Sequence, residues 1–186
     1  MIPIKRYQED SNFHFLVHRF LYLLGLSTSL CGLGWSNILM SIGQFIILGN
    51  WILELDFQRK WKCLKENKFF WILLSLIFLH LLGLLWTSEF SYGFRDIEKK
   101  LPLILLPIIF ASSKKLEKKE LYGLLGTYLI TLVFLTIASY FKLLGWTNEE
   151  IIDKRELSIN ISHIRYGLNI SFGAFVSVFL AKKIKR

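Results

Sequence analysis

The chain has 186 residues, of which 53% are hydrophobic and 20% are charged, and its formal net charge is +9. Its charged residues fall in short clusters, and uncharged runs close to the thickness of a bilayer separate them, which is typical of membrane-spanning helices. This pattern excludes a water-soluble globular enzyme, a disordered chain and a collagen-like chain. Basic loops beside membrane helices explain the positive charge, so no nucleic-acid partner is expected.

The first uncharged run, residues 20–53, is too long for one membrane crossing. A single helix of that length would measure about 51 Å, whereas the hydrocarbon core of a bilayer is about 30 Å thick. Residues 31–37 contain two glycines followed by Ser and Asn, which are typical of a turn and of helix N-caps. We therefore predict two helices, over residues 13–32 and 36–55, and expect Arg19 to extend its charged end to the membrane surface.

Further along the chain we predict four more helices, over residues 69–87, 97–113, 121–141 and 164–181. The second of these has the shortest uncharged stretch, residues 101–113, which would measure only about 20 Å as a helix. Pro102 suits the first turn of a helix, and Pro107 would kink it. This segment therefore either begins near Ile97 and crosses the membrane, or is re-entrant.

The distribution of basic residues predicts the orientation of these six helices. With the N-terminus inside, the inside segments contain 16 of the 23 Lys and Arg residues, and the outside segments contain seven, balanced by seven acids. The inside segments are residues 1–19, 54–68, 114–120 and 182–186. The sequence thus predicts an all-α, polytopic transmembrane bundle of about six spans, with both ends in the cytoplasm. It forms one transmembrane domain over residues 1–186, with the lipid bilayer as its partner.

The sequence contains no pattern that indicates a metal or a cofactor. It has no Walker loop, no G-x-S-x-G, no H-E-x-x-H and no paired-carboxylate pattern. Cys31 and Cys63 are the only cysteines, and the predicted topology places them on opposite faces of the membrane, which excludes a disulfide framework.

His80 lies in the middle of the predicted helix over residues 69–87. Polar groups inside a membrane are costly, so each is a functional candidate. His80 is interpreted either as a proton-relay or ligand-binding imidazole, or as a neutral side chain bonded to Ser75, a backbone carbonyl or a neighbouring helix.

The predicted outer loop before residue 101 carries an amphipathic pattern. Apolar residues recur at spacings of four, three and four between residues 90 and 101, which indicates a short interfacial helix. Its role is either to anchor the chain or to present Arg95, Lys99 or Lys100 to an anionic lipid headgroup.

Arg165 stands at the predicted outer mouth of the last helix. An Arg in this position can bind a phosphate or diphosphate through paired N–H donors. His163, two residues earlier, can assist as a donor or base. The alternative interpretation is an Arg at the membrane edge beside Tyr166 in an aromatic belt.

Two stretches of the sequence carry a family resemblance. Residues 80–107 contain HLLGLLWTSE followed by YGFRDIEKKLPLILLP, and residues 161–168 read ISHIRYGL. Both are similar to the N-terminal half of the O-antigen ligase/O-antigen polymerase family of membrane proteins, especially forms from Bacteroidetes-type bacteria. The resemblance covers most of the six predicted helices.

The resemblance implies a metal-independent, multi-pass glycosyltransferase of the bacterial inner membrane. Such a protein transfers a glycan from an undecaprenyl-diphosphate carrier to lipid A-core, or to a growing polysaccharide, at the periplasmic face. It further implies that Arg165 binds the diphosphate, with His163 in a secondary role. Members of the family have about twice as many helices, and a periplasmic loop of their second half carries further Arg and His residues. We therefore expect an N-terminal portion that is inactive alone.

A second hypothesis belongs to another class of protein. The chain would then be a small six-helix transporter, channel or assembly partner without transferase activity. His80 and the proline-containing helix would form its gate or ion path, because broken helices are common at transporter sites.

Overall fold

A computed structural model describes residues 4–83, 86, 90–146 and 161–184. Within these ranges the side chains of residues 4–12, 69, 76, 77, 80, 90, 92, 94, 96–99 and 184 are not described. All regular structure in the described residues is helical, which confirms the all-α prediction. The helices are α1 (Ile4–Trp35), α2 (Asn37–Leu53), α3 (Phe57–Glu66), α4 (Lys68–Gly83), α5 (Phe90–Ser112), α6 (Lys118–Leu143) and α7 (His163–Ile184).

Three segments of the described helices are long and apolar enough to cross a membrane: Phe13–Trp35 in α1, Lys118–Leu143, which is α6, and His163–Lys183 in α7. The pair α2 and α3 would add a fourth crossing if it were counted as one span, but the chain bends by 112° between them. In α5 the apolar part, Lys100–Ser112, is shorter. The described residues thus contain three candidate membrane spans, or up to four.

The chain forms two compact units, Met1–Ile46 with Leu116–Arg186, and Ile47–Lys115. The first unit contains α1, the first half of α2, α6 and α7. Its core is a cluster of Tyr128, Leu132, Leu135 and Val176. The first three recur along α6 at spacings of four and three residues, so one face of this helix is buried.

The boundary between α1 and α2 differs from the predicted turn. Only Ser36 interrupts the helices, and its Oγ accepts a hydrogen bond from the backbone N–H of Ile38 at 3.2 Å. Gly32 remains helical because its role is packing: a Cβ there would lie 2.1 Å from the backbone N of Met40. Similarly, a Cβ on Gly43 would lie 2.4 Å from Ser29 Oγ. Glycines thus let the backbones of α1 and α2 approach closely, as in other membrane helices.

The second unit contains a helix where only a basic segment was predicted. Residues 57–66 form α3, and α2 ends at Leu53 rather than at residue 55. Leu55 between them has φ +53°, in the left-handed region that is strained for a residue with a side chain. The sequence predicted only a basic segment between two spans and no helix here, because the high charge of the segment obscures the helical spacing of its aromatic residues.

The predicted interfacial helix and the helix after it form one element, α5, which begins at Phe90 and continues through Pro102 and Pro107. The expected start near Ile97, with Pro102 in the first turn, was therefore wrong. Proline fixes φ near the helical value, and the amphipathic spacing over residues 90–101 continues in helical register into the apolar segment.

Candidate functional site

Arg165 lies at the N-terminal end of α7, where its side chain meets the start of α2 within the first unit. Its backbone N–H donates to Ser162 Oγ at 3.3 Å, so Ser162 acts as the N-cap of the helix. Its half-buried guanidinium donates through Nη1 to Asn37 Oδ1 and through Nη2 to Met40 Sδ at 3.0 Å. These four residues and His163 are called the Arg165 cluster below.

The neighbours of Arg165 on α7 have different surroundings. His163 is exposed at the first position of the helix. Tyr166, expected in an aromatic belt, is half-buried, and its hydroxyl bonds to Thr136 Oγ1 on α6 at 3.3 Å. The cluster therefore has an exposed imidazole two residues before a guanidinium that the protein holds in place.

One turn further into α7, Asn169 connects three helices. Its Nδ2 donates to the backbone oxygen of Leu33 at 3.2 Å, and its Oδ1 accepts from the Tyr128 hydroxyl at 3.2 Å. Tyr128 lies on the buried face of α6, in the core of the first unit. Sequence reasoning did not assign a role to Asn169, although an amide four residues after Arg165 in an apolar helix is a usable signal. These bonds fix the position of α7 along its axis relative to α1 and α6, and therefore also the position of Arg165.

The remaining predicted site residues lie in the second unit. Arg95 is exposed on α5, and its Nη2 donates to Ser91 Oγ at 3.1 Å on the same helix. Lys100 is half-buried on α5. His80 belongs to α4, and its side chain lies outside the described residues, as does that of Lys99. Among the predicted residues whose side chains are described, only Arg165 and His163 lie at the same helix end.

Two other arginines make contacts of a different kind. Arg19 was expected to extend to the membrane surface, and it donates from Nε and Nη2 to both carboxylate oxygens of Glu120 on α6, in another predicted inside segment. Its partner lies 101 positions away, so no local sequence signal indicates this ion pair. Arg59 pairs with Asp56 at 2.8 Å and with Glu54 at 3.2 Å. Within the described part of the chain, in contrast, the acceptors of the Arg165 and Arg95 side chains are all neutral.

Arg59 belongs to a network at the bend between α2 and α3. This network is called the polar elbow and consists of Trp51, Glu54, Asp56, Arg59, Lys60 and Ser112. Lys60 is 1% exposed; its Nζ donates to the backbone oxygen of Trp51 and lies 3.2 Å from Glu54 Oε2. The same Nζ lies 4.7 Å from the centre of the Trp51 ring. This lysine thus neutralises both a carboxylate and the negative end of α2.

The polar elbow also fixes the end of α5. Arg59 Nη1 donates to the backbone oxygen of Ser112 at 3.2 Å, and Trp51 Nε1 donates to its Oγ at 2.8 Å. The hydrogen bond from Arg59 holds the pKa of the Asp56 carboxyl below its usual value of 3.8. Every charge of the elbow thus has an opposite charge within it, which is typical of a structural network.

The described residues offer no obvious metal site. No group of three or more His, Cys, Asp and Glu residues within them is placed to hold a metal ion. Cys31 and Cys63 are free thiols.

Comparisons with known proteins leave the family open. No protein-family model matches the chain, and neither a curated protein nor a solved structure is similar to it. The resemblance to O-antigen ligases and polymerases therefore stays a prediction from two stretches of sequence, and any functional assignment depends on the geometry of the residues themselves.

Proposed function

We propose that this chain belongs to an O-antigen ligase-like or polymerase-like membrane glycosyltransferase, in which Arg165 binds the diphosphate of an undecaprenyl-diphosphate-linked glycan. One observation carries the proposal. Arg165 is held half-buried at a helix N-terminus by neutral acceptors, whereas Arg19 and Arg59 are paired with carboxylates. Among the residues that the structure describes, no carboxylate neutralises this guanidinium, so its positive charge can attract an anion, and the helix N-terminus adds to the attraction.

The proposed topology has six membrane crossings with both ends in the cytoplasm of a bacterial inner membrane. The 17 residues of α2 measure about 25 Å as a helix, which is close to the hydrocarbon thickness. We assign one crossing to each of α1, α2, α4, α5, α6 and α7, so that α3 remains on the cytoplasmic surface. The Arg165 cluster then faces the periplasm, where the carrier-linked glycan and its lipid A-core or polysaccharide acceptor are found.

The chemistry proposed for Arg165 is electrostatic. In glycosyl transfer, the bond between the sugar C1 and the diphosphate oxygen breaks while the acceptor hydroxyl oxygen forms the new bond to C1. Negative charge develops on the departing diphosphate, and a positioned guanidinium stabilises it. His163 has a secondary role, which is to accept the proton of the acceptor hydroxyl.

The binding step can be tested with the purified chain in lipid nanodiscs and a fluorescent short-chain polyprenyl diphosphate. We expect Arg165→Ala to weaken binding about 10- to 100-fold, because a hydrogen bond to a charged group contributes about 1.5–3 kcal/mol. Arg165→Lys keeps the charge without the paired donors, so its loss should be intermediate. The matched control is Arg95→Ala, which removes an arginine with neutral acceptors in the other unit.

The same two arginine variants can also contradict the proposal. If Arg95→Ala weakens binding and Arg165→Ala does not, the diphosphate site lies elsewhere. In the full-length transferase, Arg165→Ala should abolish glycan transfer, and retained transfer would remove the role given to this residue.

A further inference from the structure

The helix α3 presents two kinds of face within the second unit. Lys60 and Leu64 are buried against the unit, and Arg59 is held by the polar elbow. Beside this buried stripe, at the edge of the same face, Phe57 is 47% exposed and Trp61 is 55% exposed. An exposed aromatic pair on a short, basic helix is unfavourable in water, so we expect a partly apolar surface to cover it.

We infer that α3 lies along the membrane surface and docks onto an anionic phospholipid leaflet through Trp61, Lys62 and Lys65. This inference goes beyond the proposed transferase function, and it does not depend on any role of Arg165. The direction given to α3 and the choice of the cytoplasmic leaflet rest on the proposed topology, in which α2 crosses the bilayer.

The direction of α3 supports docking at the membrane surface. The chain bends by 112° between α2 and α3, so a helix α2 that crosses the bilayer sends α3 close to the plane of its surface. The polar elbow maintains this bend, because Lys60 bonds to the end of α2 and Arg59 to the end of α5. The direction of α3 is thus set by the protein before any lipid binds.

A row of apolar side chains that the unit leaves uncovered also supports docking onto lipid. Leu55, at the bend, is 69% exposed, and Trp71, at the start of α4, is 47% exposed. Together with Phe57 and Trp61 they extend from one end of α3 to the other. Tryptophan and other aromatic side chains are enriched where the headgroups meet the hydrocarbon, because one end is apolar and the other is polar. Trp71 fits this description, since its Nε1 donates to the backbone oxygen of Lys65 at 3.3 Å.

The positive charge of α3 complements the negative charge of anionic lipid headgroups. Lys62 and Lys65 are exposed, and within the part of the chain that the structure describes neither pairs with a carboxylate. Lys65 Nζ lies 5.3 Å from the centre of the Trp61 ring, so cation and aromatic ring occupy the same edge of the helix. The exposed acid Glu66 at the end of α3 is offset by the exposed Lys68 at the start of α4. The charge that remains is positive, and it attracts anionic headgroups.

The docking can be tested with the whole chain in nanodiscs of equal parts phosphatidylcholine and phosphatidylglycerol, followed by native mass spectrometry of the lipids that stay bound. Each basic residue near an anionic surface contributes about 1 kcal/mol. We therefore expect Lys62→Gln/Lys65→Gln to reduce the preference for phosphatidylglycerol by up to about 30-fold. The matched control, Lys182→Gln/Lys183→Gln, removes the same charge from exposed positions at the end of α7.

Two outcomes of this experiment would overturn the inference. One is an unchanged lipid preference in the α3 variant, and the other is an equal loss in the α7 control. Because all four lysines are exposed, we expect both variants to fold, and circular dichroism checks this expectation.

A second measurement locates α3 without relying on lipid selectivity. A bimane label is attached through Gln58→Cys, in a chain that also carries Cys31→Ser and Cys63→Ser. We expect a spin label on the lipid headgroup to quench the bimane several-fold more than one deep in the acyl chain. If neither lipid quenches the label, α3 lies in water; a soluble protein would then be the occupant of the aromatic face, and lipid docking would be rejected.

Discussion

The Arg165 cluster and the polar elbow use the same kind of side chain in opposite ways. In the elbow, Arg59 and Lys60 are each paired with a carboxylate and bonded to a backbone carbonyl near the end of a helix. In the Arg165 cluster, the guanidinium is held by an amide oxygen and a thioether sulfur. The elbow thus uses its positive charge within the protein, whereas the cluster positions its charge and leaves it uncompensated by these partners.

This difference separates a cation that maintains the fold from one that is available to a ligand. Removing a partner from a compensated buried charge is costly, because the remaining charge stays desolvated. Removing a cation from neutral acceptors costs only the hydrogen bonds. Stability measurements should therefore distinguish the two regions before any substrate is known.

The largest effect on stability is expected at Glu54. Glu54→Gln removes the carboxylate beside Lys60, whose side chain is only 2% exposed, and should lower the free energy of unfolding by about 3 kcal/mol. Lys60→Met keeps the side-chain volume and leaves Glu54 paired with Arg59, so its loss should be about 1 kcal/mol. Reversible denaturation by SDS in mixed micelles measures both variants. Equal losses would mean that charge compensation does not hold the elbow together.

The second-largest effect on stability is expected at Gly43, where α2 packs closely against α1. The same helix α2 supplies Asn37 and Met40 to the Arg165 cluster. A Cβ at this position would lie 2.4 Å from Ser29 N and 2.7 Å from Gly25 O, so Gly43→Ala must push α2 away from α1. We expect a loss of about 2 kcal/mol, together with weaker binding of a diphosphate. The matched control is Gly49→Ala on the same helix, where a Cβ meets nothing within 4 Å. If both variants are equally stable, close packing does not seat α2.

The third prediction compares the two arginines directly. Arg165→Gln should lower the free energy of unfolding by less than about 1 kcal/mol, because the side chain is only half-buried and its acceptors are neutral. Arg59→Gln should lower it by about 2 kcal/mol, because Asp56 and the Ser112 backbone oxygen lose their donor and Glu54 keeps only Lys60. The same SDS titration measures both. A large loss for Arg165→Gln would assign that residue to the fold rather than to a ligand.

The smallest effect is the pH dependence of the elbow. Arg59 lowers the pKa of Asp56 in the folded protein. A depressed folded pKa contributes stability above the unfolded value of about 3.9, and this contribution is lost as the pH falls through the folded pKa. Thermal unfolding between pH 6 and pH 3 should therefore show a slightly steeper acid-side decrease in Tm for the wild type than for Asp56→Asn. Identical pH profiles would contradict the pairing with Arg59.

Much of the helical fold could be read from the sequence, because a bilayer imposes a simple length rule on uncharged segments. The predicted helices over residues 121–141 and 164–181 lie within α6 and α7. The failures lie where charge conceals periodicity. The basic segment over residues 54–68 was assigned no helix, although Phe57, Trp61 and Leu64 recur at helical spacing in α3.

The candidate site was predicted in part for a similar reason. Arg165 and His163 are two residues apart in sequence, so their shared position at the start of α7 follows from the point where the uncharged run of this helix begins. The acceptors of Arg165 lie 128 and 125 positions away, and no local pattern indicates such a contact. The same holds for Asn169, whose bond to Leu33 spans 136 positions.

The sequence by itself determined the composition of the helices and the places where positive charges accumulate, because both follow from the cost of placing charge in hydrocarbon. Only the tertiary structure decided which of those charges are compensated. Arg19, Arg59 and Lys60 find carboxylates through the packing of helices, while Arg165 meets an amide and a thioether. Ion pairing depends on distances of a few ångströms between residues far apart in the chain, and those distances exist only once the helices have packed.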